Sequence, residues 1–150
     1  MHRYLPPPVV MLAAAGLMAL VAWLTPALAL TMTDQTRAAV LVAALGVGIL
    51  VWAAVTLTRA GTTVNPTRPE SSTQLVTHGL FAESRNPVYL ADSLFLVAWA
   101  VYLGHPLAVL LIPVFMAVIQ RWQIVPEERA LEERFGPAFR SYRDRVPRWL

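Results

Sequence analysis

The chain has 150 residues, of which 57% are hydrophobic and 14% are charged, and its formal net charge is +3. A soluble domain carries roughly 25% charged residues, so this composition excludes a compact soluble protein and fits a chain embedded in a bilayer. The absence of cysteine excludes disulfides, thiolate nucleophiles and cysteine-ligated zinc. All 12 basic residues are arginines, and many follow long apolar runs. We therefore predict contacts with membrane lipids and none with nucleic acid.

Two long uncharged runs predict the first two transmembrane helices. Residues 7–30 and 38–58 are each long enough to cross a hydrocarbon core of about 30 Å at about 1.5 Å per residue. The Ala-Leu-Ala sequence at 27–29 also fits a signal-peptidase site, which would remove residues 1–29. Because the apolar run is longer than the usual hydrophobic region of a signal peptide and opens with three prolines, we predict that it is retained as a span.

The third apolar stretch predicts a helical hairpin. It carries no Asp, Glu, Lys or Arg over residues 93–120, and a Gly-His-Pro sequence interrupts its apolar run at 104–106. A turn there gives helices at 88–104 and 106–124, whereas a single helix would be long for a bilayer. Arginines precede and follow the stretch, and the positive-inside rule places both groups in the cytoplasm. An even number of crossings between them predicts about four transmembrane helices, with both termini inside.

Two polar segments complete the predicted all-α integral membrane fold, which forms a single domain over residues 1–150. One is a loop at 60–87, which is too long to be a bare connection in so small a protein. The other is a tail at 126–150, where hydrophobic residues recur at helical spacing. Gly136-Pro137 divides this tail into two predicted amphipathic helices. Because both segments lie on the cytoplasmic side, they can meet.

Residue spacing excludes several kinds of site. His2, His78 and His105 are scattered, so no metal site is predicted. The Gly-Val-Gly sequence at 46–48 lies within a predicted span and lacks the strand–turn–helix context of a dinucleotide fingerprint, which excludes a soluble Rossmann methyltransferase. Asp92, just inside the third span, is either a buried hydrogen-bonding residue or a functional one.

The cytoplasmic segments carry groups that suit a zwitterionic, cationic ligand. Arg85 could pair bidentately with a carboxylate. Glu127 or Glu128 could accept hydrogen bonds from an ammonium or from ribose hydroxyls, and Phe81 or Tyr89 could stack on a purine or face a sulfonium. Structural roles remain open as well. Arg85 could be an anchor among headgroups, and the two glutamates could be the favoured acidic residues of a first helical turn.

A longer pattern runs through the loop and the tail. It reads Leu75-Val76-Thr77-x-Gly79-x-Phe81-x-x-x-Arg85-Asn86-Pro87-x-Tyr89, then the predicted hairpin, then Glu127-Glu128-x-x-Leu131-x-x-x-Phe135-Gly136, and it ends Val146-Pro147-Arg148. In order and spacing, residues 61–150 resemble the isoprenylcysteine carboxyl methyltransferase family and its bacterial relatives. The resemblance implies a membrane enzyme that holds S-adenosylmethionine between the loop and the tail.

The resemblance also implies which residues form the site. The cofactor contacts would fall at Leu75, Val76, Thr77, Gly79, Phe81, Arg85, Asn86, Pro87, Tyr89 and Glu127. The residues assigned to catalysis are Arg85, Glu127 and Glu128. The chain departs from the family at Asn86, where many members have histidine, and at Gln123, where eukaryotic members carry an arginine implicated in substrate handling.

The function implied is S-adenosylmethionine-dependent methyl transfer to a lipophilic acceptor within the membrane, with carboxyl methylation as the family's reaction. An anionic acceptor is favoured because no general base is evident. The implied location is the bacterial inner membrane, with the active site facing the cytoplasm. Three alternatives remain: a phospholipid or small-molecule methyltransferase of the same fold, an NADPH-dependent membrane reductase, and a non-enzymatic membrane partner. The sequence identifies neither the acceptor nor the oligomeric state.

Overall fold

The computed structural model describes residues 6–61 and 74–150, and over these ranges the chain is helical, with no strand. The helices in chain order are α1 (Pro7–Leu24), α2 (Gln35–Arg59), α3 (Pro87–Leu103), α4 (Pro106–Val109), α5 (Leu111–Ile119), α6 (Val125–Phe135) and α7 (Pro137–Arg145). Within the described ranges, α1, α2 and the run Pro106–Phe135 are long and apolar enough to cross a membrane, while α3 is a shorter apolar helix. The predicted all-α membrane fold is confirmed, and the count of four spans stays a prediction.

The first helix is shorter than its apolar run. It ends at Leu24 rather than at residue 30, because Pro26 disfavours helical geometry at the residue before it. Thr25 accordingly leaves the helix, and its hydroxyl donates a hydrogen bond of 2.6 Å to the carbonyl of Val21. The second helix begins at Gln35, slightly before the predicted position.

The predicted helical hairpin is confirmed. α3 ends at Leu103 because Gly104 adopts a left-handed conformation with φ of 59°. A side chain cannot be placed there, since a Cβ atom would lie 2.2 Å from the carbonyl oxygen of Leu30. The Leu30 N–H in turn donates to the Gly104 carbonyl at 2.7 Å, and the Gln35 side chain donates to the Tyr102 carbonyl at 2.7 Å. The hairpin turn, residues 104–106, is thus bound to the connection between α1 and α2.

The last span continues into the polar tail without a break. α5 passes through a π-helical turn, Gln120–Ile124, directly into α6. Pro126 lacks an N–H, and in a regular α-helix its ring would collide with the carbonyl of Trp122. A wider π-helical turn is one way in which a helix accommodates such a residue. The predicted division of the tail at Gly136-Pro137 is confirmed, because α6 ends at Phe135 and α7 begins at Pro137.

The hydrophobic core lies mainly among α1, α3 and α5, and its buried members include Met18, Leu96, Phe115 and Ile119. The outward faces of the helices are apolar as well: the side chain of Leu41 is 71% exposed. In an aqueous protein so many exposed large hydrophobic residues would be unfavourable, whereas in a bilayer they contact lipid. The core therefore fixes α3 against its neighbours and holds its first turn in place.

Candidate active site

The described part of the predicted cofactor loop is folded onto the end of α2. Residues 62–73 lie outside the described ranges. Val76 and Phe81 are buried against Ala53 of α2. The chain turns at Gly79, which has a φ of 63°, and forms a short 3₁₀ helix, Gly79–Ala82. A Cβ at Gly79 would meet no atom closer than 3.7 Å, so the left-handed backbone, not lack of space, favours glycine there.

The tail helix α7 packs on the same loop. Phe139, Tyr142 and Val146 form a buried cluster against which Leu75 packs. The Tyr142 hydroxyl donates a hydrogen bond of 2.7 Å to the carbonyl of Phe81. Burial of this hydroxyl raises the pKa of Tyr142 above its usual value, and the nearby Arg85 guanidinium opposes that shift. The loop and the tail are therefore in contact, which is consistent with the prediction that both lie on the same side of the membrane.

The first turn of α3 contacts α6 through Tyr89 and Glu127. Pro87 begins α3, where its fixed φ suits the first helical position. Two residues later the buried Tyr89 hydroxyl donates to Glu127 Oε1 at 2.5 Å. A hydrogen bond of this length is at the short end of the usual O–H···O range. It fixes one carboxylate of the acidic pair against the polar end of the hairpin.

The second carboxylate, Glu128, lies between two arginines. Arg148 donates to it from both Nε, at 3.0 Å to Oε1, and Nη2, at 2.6 Å to Oε2. Arg85 Nη1 also lies 3.0 Å from Oε1. The side chains of Arg85 and Glu128 are only 9% and 14% exposed, and that of Arg148 is 30% exposed. Three charges therefore share a largely buried position.

The segment Val146–Leu150, which we call the strap, crosses the start of α3 and closes this side of the site. The Arg85 N–H donates to the carbonyl of Pro147 at 3.0 Å. The Asn86 side chain donates to the carbonyl of Arg148 at 2.9 Å. Farther along, Trp149 Nε1 donates to Gln120 Oε1 at 3.1 Å, which connects the strap to the π-helical turn.

The two arginines are not equivalent. Although Arg85 Nη1 is within ion-pair distance of Glu128, neither it nor Arg85 Nε makes an aligned hydrogen bond with any residue of the described ranges. Burial lowers the pKa of Arg85, Glu128 partly opposes that effect, and Arg148 adds to it. The pKa of Arg148 is raised, chiefly by its hydrogen bonds to Glu128. Arg148 is thus the main partner of Glu128, and Arg85 keeps donor atoms that are unfilled.

The structure brings some predicted site residues together and separates others. Arg85, Asn86, Tyr89, Glu127 and Glu128 gather where the loop, α3, α6 and the strap meet. Val76 and Phe81 instead bury their side chains against α2, and Thr77 is exposed. The predicted cofactor contacts of all these residues stay predictions.

Arg148 was missed by the sequence-based prediction, although it is the main partner of Glu128. Its one signal was the Val146-Pro147-Arg148 ending within the family pattern, which carried no assigned role. At the position of the family's substrate-handling arginine, Gln123 is buried, while Arg121 faces outward.

The comparisons with known proteins agree with this architecture. The profile of the phospholipid methyltransferase family matches residues 35–138, which is more than half of the chain and includes every residue predicted for the cofactor or for catalysis. An uncharacterized protein of Haemophilus influenzae is 44% identical over 63 residues, which is 42% of this chain and the whole of that protein. No solved structure matches the chain. The family profile confirms the isoprenylcysteine and phospholipid methyltransferase superfamily, and membership of its isoprenylcysteine branch stays a prediction. The chain therefore belongs to the phospholipid methyltransferase family, whose members are membrane methyltransferases.

Proposed function

We propose that this protein transfers a methyl group from S-adenosylmethionine to a lipophilic acceptor at the membrane. The family and the long apolar helices support a methyltransferase in a bilayer. The observation that carries the cofactor assignment is the buried guanidinium of Arg85, whose Nε and Nη1 have unfilled hydrogen-bonding capacity. Buried polar atoms are nearly always hydrogen-bonded, so an unfilled guanidinium indicates that an anionic group binds there.

The polar groups of the site fit the charged part of the cofactor. S-adenosylmethionine carries a carboxylate, which matches the guanidinium of Arg85. It also carries an ammonium and ribose hydroxyls, which are donors. Glu127 already accepts one hydrogen bond from Tyr89, and its two carboxyl oxygens retain further acceptor positions for such donors. The site thus has a place for an anion beside a place for donors.

The residues of the chain contribute position and environment to the reaction. The bound cofactor supplies an electrophilic methyl group. Arg85 binds the anionic end of the ligand, and Tyr89 holds Glu127 in one orientation. The strap and the loop reduce access of water to the buried charges. Holding two reactants in line and excluding water can account for most of the rate of a simple displacement.

Two acceptor chemistries fit this proposal. A lipophilic carboxylate, as in the isoprenylcysteine enzymes, needs no general base because it is already anionic. A phospholipid amine must lose a proton, and the family description gives this second candidate its support. Asp92, one turn beyond Tyr89 on α3, is the partly buried carboxylate available to accept that proton. Asp92→Asn is therefore expected to slow methylation of an amine and to leave methylation of a carboxylate unchanged.

The proposed location is the bacterial inner membrane, with the site facing the cytoplasm. The site lies at the end of the bundle that carries Arg59 at the close of α2, Arg85 before α3 and Arg121 in the π-helical turn. The opposite end, around the hairpin turn, carries one arginine in the described ranges, Arg37, and it is paired with Asp34. The positive-inside rule assigns the arginine-rich end to the cytoplasm.

Calorimetry on the purified protein in mild detergent tests the cofactor. We expect saturable binding of S-adenosylmethionine that is lost in Arg85→Ala and Glu127→Ala. Arg143→Ala is the matched control, because Arg143 also pairs with a glutamate, Glu132 at 2.8 Å, but outside the site. Binding of NADPH in place of S-adenosylmethionine would favour the reductase. A folded protein that binds neither would contradict the proposal and favour a non-enzymatic partner.

A product assay separates the acceptors. The protein is placed in lipid nanodiscs with methyl-labelled S-adenosylmethionine and either N-acetyl-S-farnesylcysteine or phosphatidylethanolamine. Base-labile label on the first would identify a carboxyl methyltransferase, whereas stable label on the second would identify a phospholipid amine methyltransferase. Label on neither, from a protein that binds the cofactor, would limit the acceptor to another lipophilic molecule.

A further inference from the structure

We infer that Arg148 is a positioning residue that prevents Glu128 from neutralising Arg85. The inference rests on the proposed function, in which Arg85 binds the carboxylate of S-adenosylmethionine. Arg148 itself does not contact the ligand in this arrangement. It acts by holding a competing carboxylate that belongs to the protein.

The geometry shows which arginine Glu128 prefers. Both carboxylate oxygens of Glu128 accept from Arg148, at 3.0 and 2.6 Å. Arg85 approaches only one of them, at 3.0 Å, and without the alignment of a hydrogen bond. A guanidinium forms its strongest pair with a carboxylate through two parallel bonds, and Arg148 has that arrangement. Arg85 is consequently a buried cation beside Glu128, whose two carboxylate oxygens already accept hydrogen bonds from Arg148.

Removing the Arg148 side chain would change the partner of Glu128. Arg85 would then be the nearest cation, and its unfilled N–H groups could donate to Glu128 in a full pair. Charges that are largely buried interact more strongly than charges in water, so the new pair would compete with a ligand carboxylate for the same guanidinium. The free cofactor would have to displace a tethered competitor, and its apparent affinity would fall.

The strap would remain in place in such a variant. Its contacts with the start of α3 use the carbonyls of Pro147 and Arg148, which accept from the Arg85 N–H and the Asn86 side chain. Trp149 contributes a further hydrogen bond to Gln120. None of these contacts involves the Arg148 side chain. Its truncation therefore leaves these three hydrogen bonds of the strap available.

Five proteins test the inference by calorimetry with S-adenosylmethionine: wild type, Glu128→Gln, Arg148→Ala, the double variant and Arg148→Lys. We expect Arg148→Ala to bind about tenfold more weakly than wild type or worse, which is the scale of coupling between close charge pairs. Glu128→Gln removes the competing charge, so it should bind at least as tightly as wild type. The double variant should bind as Glu128→Gln does, within about twofold. Arg148→Lys, which keeps the charge but not the two-bond geometry, should lie between wild type and Arg148→Ala.

The double variant also distinguishes this inference from a structural role. If Arg148 contacted the ligand or merely stabilised the fold, the double variant would bind more weakly than Glu128→Gln by the same factor that separates Arg148→Ala from wild type. That result would overturn the inference, as would loss of binding in Glu128→Gln. If Arg148→Ala does not fold, equal binding by the double variant and Glu128→Gln still supports the inference and weaker binding by the double variant contradicts it. Melting temperatures of all five proteins report on folding. A folded wild type that binds no S-adenosylmethionine would instead refute the proposed function.

Discussion

The two ends of α3 are held by different chemistry. At the hairpin turn the contacts are neutral: the Leu30 N–H donates to Gly104, and the Gln35 amide donates to the carbonyl of Tyr102. At the site end the contacts include Glu127, Glu128 and two arginines. Both ends attach α3 to distant parts of the chain, but only the second concentrates charge in a largely buried place.

The unfilled atoms at the two ends differ as well. At the hairpin turn, Nδ1 of the buried His105 has no hydrogen-bond partner in the described ranges. The Thr25 hydroxyl uses its proton on the Val21 carbonyl, so Nε2 of His105 carries the proton that is donated to the Thr25 carbonyl at 3.0 Å. In a neutral imidazole Nδ1 is then an acceptor, whereas the unfilled atoms of Arg85 are charged donors. Leaving a charged group unfilled costs more, so we expect a ligand at the site end and a purely structural role for the hairpin turn.

The largest effect is expected from Gly104→Ala, which would break the hairpin turn. The Cβ atom of the alanine would collide with the Leu30 carbonyl, and the residue would have to adopt a positive φ. We expect a loss of about 3 kcal/mol of unfolding free energy or failure to fold, measured by thermal melting in detergent. Gly16→Ala is the control, because nothing lies within 4 Å of a Cβ at that position of α1. Equal melting temperatures for the two variants would show that the turn is not a rigid attachment.

Tyr89→Phe should affect the site more than the fold. It removes the donor to Glu127, leaving that carboxylate free to rotate. We expect S-adenosylmethionine to bind up to about tenfold more weakly, since a typical hydrogen bond contributes about 0.5–1.5 kcal/mol. Calorimetry measures the affinity. Unchanged affinity, with the protein folded, would mean that Glu127 needs no orientation by Tyr89.

Tyr142→Phe should do the reverse and lower stability without lowering affinity. It leaves the buried Phe81 carbonyl without its donor, at a cost of about 1–2 kcal/mol. Because burial raises the pKa of Tyr142, its contribution is fully present below the unfolded pKa of about 10 and is lost as pH rises through the folded value. The stability difference from wild type should therefore be constant between about pH 6 and 9 and shrink in stronger alkali. A difference that grows with pH would contradict this account.

The smallest effect is expected from Gln35→Ala at the hairpin turn. It removes one partly exposed amide donor from the Tyr102 carbonyl, worth about 1 kcal/mol. The melting temperature should fall slightly, and the affinity for S-adenosylmethionine should not change. A loss of binding would show that the hairpin turn communicates with the site, which would remove the distinction between the two ends of α3.

Much of the fold followed from local sequence features. Apolar runs gave the helices, and the glycine–proline pairs near 104–106 and 136–137 gave their breaks, because those residues restrict the backbone wherever they occur. Pro126 was misleading for the same reason. It reads as a helix start, yet the π-helical turn lets one helix pass through it. Such a turn is not evident from local propensity.

The site was only partly predictable. The predicted topology and the family resemblance both placed the loop and the acidic pair on one side of the membrane. Neither could assign partners to Glu127 and Glu128, which are adjacent in sequence but separated by about 100° around α6. That rotation directs one to Tyr89 and the other to the two arginines. The pairing of Glu128 with Arg148 crosses twenty residues and follows no helical spacing, so it required the folded chain.

We expect the unbroken helix through the π-helical turn to make the site responsive to the thickness of the bilayer. Glu127 and Glu128 lie on the helix that continues from the apolar residues of α5. Glu128 is nine positions beyond Ile119, which is about 13 Å along the helix axis. Spans tilt to match the hydrocarbon thickness around them, and a change on the order of ten degrees would move the carboxylates by about 2 Å relative to the loop. Displacements of that size alter rates strongly in enzymes that depend on alignment. The lipid composition of the membrane can therefore set the geometry of the site.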